Sequence, residues 1–417
     1  ERQDKLTLEG FLPAVKAQER KSFGEIMEAA KTNPNLMNVV EGKETLDEFV
    51  DKLPTEALIH LLGGQPNTGV ANTFGMGNLP EYGIPNIMTA DGPAGLRLNP
   101  HFATTADGRL LVSGDTISGI PMGEDPERTA DAVDYYQYCT AIPVATLLAQ
   151  SWDMELIEKA GRIVGREMEE FHVTLWLAPG MNIHRNPLCG RNFEYYSEDP
   201  LLAGKLAAGF IRGAEGEGVG TSLKHFAVNN QETLRMSVSA EVDERALQEL
   251  YLRPFEIAVK EGAPSTVMCS YNRINGVYAS ENRMLLTRIL REQWGFDGLV
   301  MSDWGAVYRR PAGVAAGLDL EMPSSGGVTD REIVRAVRAG RLDEAALDAL
   351  CARVLRLALA HAPQRKKAYP APVHHVAAVR RMLDRHHALA VRAARESAVL
   401  LKNEGRVLPL APDAKVA

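Results

Sequence analysis

Carboxylates and cations follow several short apolar runs of this chain, and Leu299–Met301 is the most informative of these runs. It has the pattern of a buried parallel strand, and Asp303 and Trp304 come just after its end. An ionised carboxylate is costly to bury, so one at the end of a core strand indicates a working group. Capping of the next helix is the structural alternative. The indole of Trp304 offers a flat apolar face of the kind on which a sugar ring stacks.

Polar side chains also follow the other predicted strands. They are Asp91, Asn182, His184, Arg185, Lys224, His225, Tyr271, Asn272 and Glu321. The carboxyl ends of the strands of a parallel barrel lie on one face, so we expect most of this set to converge on one pocket. Glu321 is interpreted as structural. A polar pocket with a strand-end carboxylate beside a Trp favours hydrolysis of a polyhydroxylated substrate.

Strand, loop and helix patterns alternate from about residue 86 onwards. The predicted strand cores are Asn86–Thr89, Pro143–Ala145, Thr174–Leu177, Thr221–Lys224, Ser265–Met268, Leu299–Ser302 and Gly317–Glu321. The predicted helices include Met154–Phe171, Leu201–Glu217, Glu244–Lys260 and Leu285–Trp294. Repeated βα units imply a parallel sheet, and seven or eight units over about 300 residues predict an α/β fold, a (β/α)8 TIM-like barrel.

The same pattern divides the chain into three parts. Residues 1–40 form an N-terminal extension, which fits the tail of an upstream domain, and residues 41–360 form the barrel. Residues 361–417 are interpreted as a linker and the start of a second domain. Within the barrel, the acidic stretch 113–138 is interpreted as a loop insertion.

Composition excludes several classes of protein. The 417 residues are 45% hydrophobic and 24% charged, with a net charge of −8, which argues against a nucleic-acid or anionic-membrane surface. No apolar run approaches the roughly 20 residues of a membrane helix. We find no clustered metal ligands and no Gly-x-Gly-x-x-Gly motif, so we expect neither metal nor cofactor. Scattered cysteines and the lack of an N-x-Ser/Thr sequon favour a soluble, cytoplasmic protein.

Several motifs, taken together and in order, resemble glycoside hydrolase family 3, whose typical members are β-glucosidases and β-xylosidases. They are the segments 91–97, 184–187, 190–200, 224–226, 268–272, 302–304 and 400–404. The resemblance covers roughly residues 45 to 410. It implies a retaining enzyme that removes a terminal β-D-glucosyl residue from a β-glucoside or a short β-linked oligosaccharide.

The resemblance also implies a role for each site residue. Asp303 matches the catalytic nucleophile, whose pKa neighbouring cations would lower. The substrate-binding set is Asp91, Arg185, Lys224, His225, Tyr271 and Trp304. Arg191 and Glu194 are interpreted as residues that brace the loop around the pocket, and the pair Tyr195–Tyr196 as packing.

One element of the retaining mechanism, the general acid/base, has no match in the chain. In the β-glucosidase branch this Glu comes from a second α/β domain, so we expect that domain as a partner. The hexosaminidase branch uses an Asp/His pair after the Lys-His strand, but the loop 227–233 contains no His. A substitute from the acidic insertion, with Asp115, Glu124, Asp125 and Glu127, is the other source. A β-xylosidase and a non-catalytic sugar-binding module stay open as alternatives, and the oligomeric state is open, a homo-oligomer included.

Overall fold

The computed structural model describes residues 28–29, 32–66, 69–106, 110–112, 116–117, 120–121, 128–361 and 376–415. Its centre is a six-stranded sheet in which neighbours in space follow the order of the chain. The strands are Gly75–Leu79, Ile84–Ala90, Leu175–Trp176, Gly220–Phe226, Thr266–Cys269 and Leu299–Ser302. From the second strand to the sixth, every pairing is parallel.

Two short segments close this sheet into a barrel. Single β-bridges join Met301 to Leu320, Glu321 to Gly63, and Gln65 to Gly75. The six strands and these two segments give a ring of eight positions. The prediction of a TIM-like (β/α)8 barrel is therefore confirmed.

The strand Gly75–Leu79 departs from the predicted all-parallel order and pairs antiparallel with Ile84–Ala90. Only the short turn Pro80–Tyr82 and Gly83 separate the two strands. A connection this short can join only antiparallel strands, because a parallel pair needs a crossover of a dozen or more residues. Gly83 adopts a φ of 70°, which a glycine permits at no steric cost.

Helices lie between the parallel strands and beyond the barrel. The α-helices are Met37–Val40, Leu46–Val50, Thr55–Leu61, Ala145–Ala149, Met154–Glu170, Pro200–Glu215, Glu244–Ala246, Arg253–Gly262, Arg310–Ala316, Val328–Arg338, Glu344–His361 and Val376–Ser397. Leu247–Leu252 and Met284–Gln293 are π-helical. The predicted strand at Pro143–Ala145 is wrong, since a helix begins at Ala145. Proline has no N–H for a sheet, and the Ala- and Leu-rich residues that follow favour a helix.

Other predictions concern the insertion within the barrel and the segments that flank the barrel in sequence. Within the insertion, Val133–Tyr136 pairs with His101–Thr104, so this part is a strand and not an irregular loop. The acidic residues Asp115, Glu124, Asp125 and Glu127 lie outside the described residues, as do 1–27 and the linker 362–375. The division of the chain at residues 40 and 360 stays a prediction. No helix of the described ranges is long and apolar enough to cross a membrane.

Candidate active site

Asp303 lies at the carboxyl end of the buried strand Leu299–Ser302. Its backbone N–H still donates to the Cys269 carbonyl at 3.2 Å, so the neighbouring strand fixes its position. The side chain is 7% exposed. Its Oδ1 accepts a hydrogen bond of 2.7 Å from the Trp304 N–H, whereas Oδ2 has no hydrogen-bond partner within the described residues. The geometry thus holds one carboxylate oxygen and leaves the other available.

Two cationic or polar groups face that available oxygen. Arg191 Nη1 lies 4.0 Å and His225 Nε2 lies 3.6 Å from Asp303 Oδ2. Burial nevertheless raises the pKa of Asp303 above its usual value, and the charges of Arg191 and Lys224 offset this only in part. The cations do lower the pKa of Asp303, as predicted, but burial has the larger effect and the net shift of the pKa is upward.

Asp91 is the second carboxylate, and it follows the strand Ile84–Ala90. Lys224 Nζ donates to its Oδ1 at 3.0 Å, and Arg97 Nη1 lies 3.5 Å from its Oδ2. Burial works to raise the pKa of Asp91, but Lys224 and Arg97 outweigh it and lower the pKa to about 2. Asp91 is therefore an anion at neutral pH.

Lys224, which is 3% exposed, connects the two parts of the site. Besides its bond to Asp91, its Nζ lies 3.7 Å from Glu194 Oε2. Glu194 is buried in turn and pairs with Arg191 Nε, so Arg191 lies between Glu194 and Asp303. Arg191 and Glu194 thus form an ion pair beside the pocket, and Arg191 also lies 4.0 Å from the strand-end carboxylate, while their bracing role stays a prediction.

His225 is held from both sides of its backbone. Asn182 accepts a hydrogen bond of 2.9 Å from the His225 N–H and donates one of 2.9 Å to its carbonyl. Burial lowers the pKa of His225 well below its usual range, and Arg191 and Lys224 lower it further. The imidazole is therefore neutral.

Tyr271, two residues beyond the end of the strand Thr266–Cys269, lies beside the same carboxyl. Burial, and after it the negative charge of Asp303, raises the pKa of the Tyr271 hydroxyl. The guanidinium carbon of Arg235 lies 4.9 Å from the centre of the tyrosine ring, a cation–π contact. Tyr271 is 6% exposed, so its hydroxyl is fixed in the neutral form beside Asp303.

Arg185 is placed differently from the prediction. Its side chain is exposed, and its guanidinium carbon lies 5.9 Å from the centre of the Tyr251 ring. It lines a cavity of about 220 Å³ together with Tyr251 and Glu241, and Asp303, Asp91 and Lys224 are not among the residues that line this cavity. Among the contacts of the described residues, none joins Arg185 to Asp303, Asp91 or Lys224. The structure therefore does not bring Arg185 into the predicted pocket.

Sequence reasoning missed Arg97 and Arg235 as site cations. A signal for Arg97 exists, since it ends a turn that begins at Asp91 and contains Gly92 and Gly95. Those glycines adopt φ values of 115° and 121°, and the Arg97 N–H returns to the Asp91 carbonyl at 2.9 Å. Arg235 lies in an irregular loop, and no local pattern distinguishes it from a surface arginine.

Comparison with known proteins identifies the family of this chain. Residues 114–357 match the family described as the glycosyl hydrolase family 3 N terminal domain. The chain belongs to glycosyl hydrolase family 3. The family resemblance predicted from the motifs is therefore confirmed, although the Asp91–Arg97 turn precedes the matched range.

Several relatives of this family member are known. It is 46% identical over 337 residues to thermostable beta-glucosidase B of Acetivibrio thermocellus. This match covers 81% of this chain and 40% of that relative. It is 45% identical to an exo-alpha-(1->6)-L-arabinopyranosidase of Bifidobacterium longum, over 82% of this chain and 41% of the relative. The solved structure of beta-glucosidase 3B from Thermotoga neapolitana with glucose has a TM-score of 0.74 and 39% identity. That match covers 88% of this chain and 48% of the solved chain. The chain thus spans less than half the length of these relatives.

Proposed function

We propose that this chain forms the glycone-binding barrel of a retaining exo-β-glucosidase, with Asp303 as its nucleophile. The observation that carries the proposal is the buried Asp303 carboxylate, in which Oδ1 is held by a hydrogen bond and Oδ2 accepts none from the residues that the structure describes. It lies within a set of cations at the face of the barrel where active sites form. The arrangement supports covalent catalysis on a polyhydroxylated ring.

The proposed reaction uses two displacements. Asp303 Oδ2 attacks the anomeric carbon and forms an ester bond as the glycosidic C–O bond breaks, with the leaving oxygen taking a proton from the acid. Water then attacks the same carbon, gives a proton to the conjugate base, and releases the Asp303 carboxylate. Two inversions give net retention of configuration. We propose that the acid/base lies outside the described residues, on a second domain.

The remaining site residues bind the sugar in this proposal. Asp91 is anionic and accepts hydrogen bonds from the hydroxyls on the side of the ring away from Asp303, while Lys224, Arg97 and Arg191 supply charged donors. Charge-assisted bonds of this kind are about twice as strong as neutral ones. Trp304, which follows Asp303, offers its apolar face to the ring.

A substrate panel tests the proposal in the protein expressed from its complete reading frame. We expect hydrolysis of aryl β-D-glucosides, with the β-anomer of glucose as the first product in time-resolved NMR. The α-anomer as the first product would exclude the covalent intermediate on Asp303. The panel includes aryl β-D-xylosides, since xylose lacks only the hydroxymethyl group of glucose. It also includes aryl α-L-arabinopyranosides, because the relative at 45% identity carries that activity in its name. A clear preference for either pentoside would replace glucose as the glycone and leave the mechanism unchanged.

The two arginines of the loop after Leu175–Trp176 provide a matched pair. Arg191→Ala removes a cation 4.0 Å from Asp303 and the charged donor to Glu194, and loss of a charged hydrogen-bond partner costs about 1.5–3 kcal/mol. We expect kcat/KM for the aryl β-glucoside to fall roughly 10- to 100-fold. Arg185 is exposed and lies over the Tyr251 ring, so Arg185→Ala should change kcat/KM for the same substrate by less than about threefold. Thermal unfolding of both variants checks that they are folded. A larger loss for Arg185→Ala would restore the sequence prediction and overturn the placement of Arg185.

A further inference from the structure

Tyr195 is fully buried beside the site, and its hydroxyl touches two polar groups there. The distance from Tyr195 Oη to His225 Nδ1 is 2.9 Å, and Asn229 Nδ2 donates to the same hydroxyl at 3.2 Å. Tyr195 is 0% exposed and Asn229 is 2% exposed, so water does not compete for these bonds. The sequence interpretation of Tyr195 as packing is therefore incomplete.

The directions of these bonds follow from the donors available. The Asn229 amide nitrogen can only donate, so it uses a lone pair of the Tyr195 oxygen. The Tyr195 proton is then free to point at His225 Nδ1, which must accept it. A neutral imidazole carries one proton, so that proton is on Nε2, the atom that faces Asp303 Oδ2 at 3.6 Å.

We infer that Tyr195 is a positioning residue that holds His225 with its proton on Nε2, as a neutral donor aimed at Asp303 and the bound ring. The reverse arrangement, with the proton on Nδ1, would put the Nε2 lone pair against the Asp303 carboxylate. It would also require two donors, Asn229 Nδ2 and His225 Nδ1, to share one hydroxyl and leave the Tyr195 proton without an acceptor.

The function of this arrangement rests on the proposed double displacement. An anionic Asp303 attracts the Nε2 proton by itself, so Tyr195 is redundant while the carboxylate is free. In the glycosyl-enzyme the carboxylate has become a neutral ester and that attraction is lost. Tyr195 then keeps the Nε2–H oriented, so the donor is still present when water attacks the anomeric carbon.

The ¹⁵N NMR signals of the histidine ring test the inference on this chain without any substrate. The His225 pair is assigned by its loss in His225→Gln. We expect the proton on Nε2 in the wild type and also in Asp303→Ala, which removes the carboxylate and puts no donor in its place. The double variant Asp303→Ala/Tyr195→Phe should show a mixture of the two tautomers. A proton on Nδ1 in the wild type overturns the inference, as does an unchanged tautomer in the double variant.

Tyr196→Phe is the matched control. Tyr196 is 2% exposed, and no hydrogen bond of its hydroxyl is found within the described residues. With otherwise wild-type protein from the complete reading frame, Tyr195→Phe should lower kcat about tenfold for dinitrophenyl β-glucoside, whose turnover is limited by hydrolysis of the glycosyl-enzyme, as expected for one lost buried hydrogen bond. Its kcat/KM, which reports only the formation of the glycosyl-enzyme, should change by less than about threefold. Tyr196→Phe should stay within about twofold of the wild type. Equal losses in both variants would reduce Tyr195 to a packing residue. Because the tautomer is read without turnover, absence of glucosidase activity would count against the proposed function and leave the inference standing.

Discussion

Asp303→Asn, in the protein expressed from its complete reading frame, should lower kcat for aryl β-glucoside hydrolysis by at least about 10³-fold, since removal of a nucleophile abolishes the covalent step. The amide has nearly the shape of the carboxylate but is a far weaker nucleophile. Its oxygen can still accept the Trp304 N–H bond, so the fold around the strand end is kept. Steady-state and single-turnover kinetics measure the loss.

Two controls separate a nucleophile from a residue that only supports the fold. Asp297→Asn changes an exposed carboxylate just before the same strand and should leave kcat within about twofold. Asp303→Ala opens space for azide, which can attack an activated β-glucoside directly. One displacement inverts the anomeric carbon, so we expect α-glucosyl azide as the product. β-Glucosyl azide from Asp303→Ala, or turnover of Asp303→Asn at the wild-type rate, would assign the nucleophile to another residue.

The environments of Asp91 and Asp303 shift the pKa values of these two carboxyls in opposite directions. Lys224 and Arg97 hold Asp91 ionised, with its pKa lowered to about 2, while burial raises the pKa of Asp303. Pairs of groups whose pKa values are pushed apart mark distinct chemical tasks. Asp91, whose side chain is 33% exposed, suits a permanent hydrogen-bond acceptor. The buried Asp303 is poorly solvated, and a poorly solvated carboxylate loses little hydration when it attacks carbon.

Strand ends were the part of the site that the sequence could predict. Asp91, Lys224 and Asp303 lie at or just after the ends of predicted strands, and parallel strands bring such positions to one face whatever the intervening loops do. The strand of Lys224 continues in the structure to Phe226. The parallel bridges between these strands confirm the basis of that argument.

The site residues that lie in loops are hard to predict from the sequence, because the tertiary path of a loop decides which of its side chains faces the site. Arg185 and Arg191 lie six positions apart in one irregular segment, and only the tertiary path decides which of them faces Asp303. Arg235 reaches Tyr271 through a loop without periodicity. Tyr195 is apolar enough to be read as core, and its bond to His225 depends on the packing of two separate segments.

The second large effect is the loss of rate expected when the general acid, the group that protonates the leaving oxygen, is missing. Glu194 and Asp91 are the carboxylates that pair with Arg191 and Lys224 in the site. Because both are engaged in these ion pairs, neither is free to protonate a leaving group. We therefore predict that no Asp or Glu of the described residues lies across the pocket from Asp303 at the retaining separation of roughly 5–5.5 Å. General acid–base catalysis contributes typically 10²–10⁴-fold, so the 417-residue chain alone should hydrolyse a methyl or alkyl β-glucoside slower than the complete protein by about that factor.

An activated substrate isolates the missing step. Dinitrophenyl β-glucoside needs no proton at its leaving oxygen, so the 417-residue chain should release dinitrophenolate in a burst and accumulate the glycosyl-enzyme. Azide needs no base, so it should accelerate turnover and yield β-glucosyl azide, because two displacements retain configuration. Binding of glucose without a burst or azide rescue would instead identify a non-catalytic sugar-binding module. Hydrolysis of alkyl glucosides by the chain alone, at the rate of the complete protein, would contradict the prediction. It would then direct the search for the acid to Asp115, Glu124, Asp125 and Glu127, which lie outside the described residues.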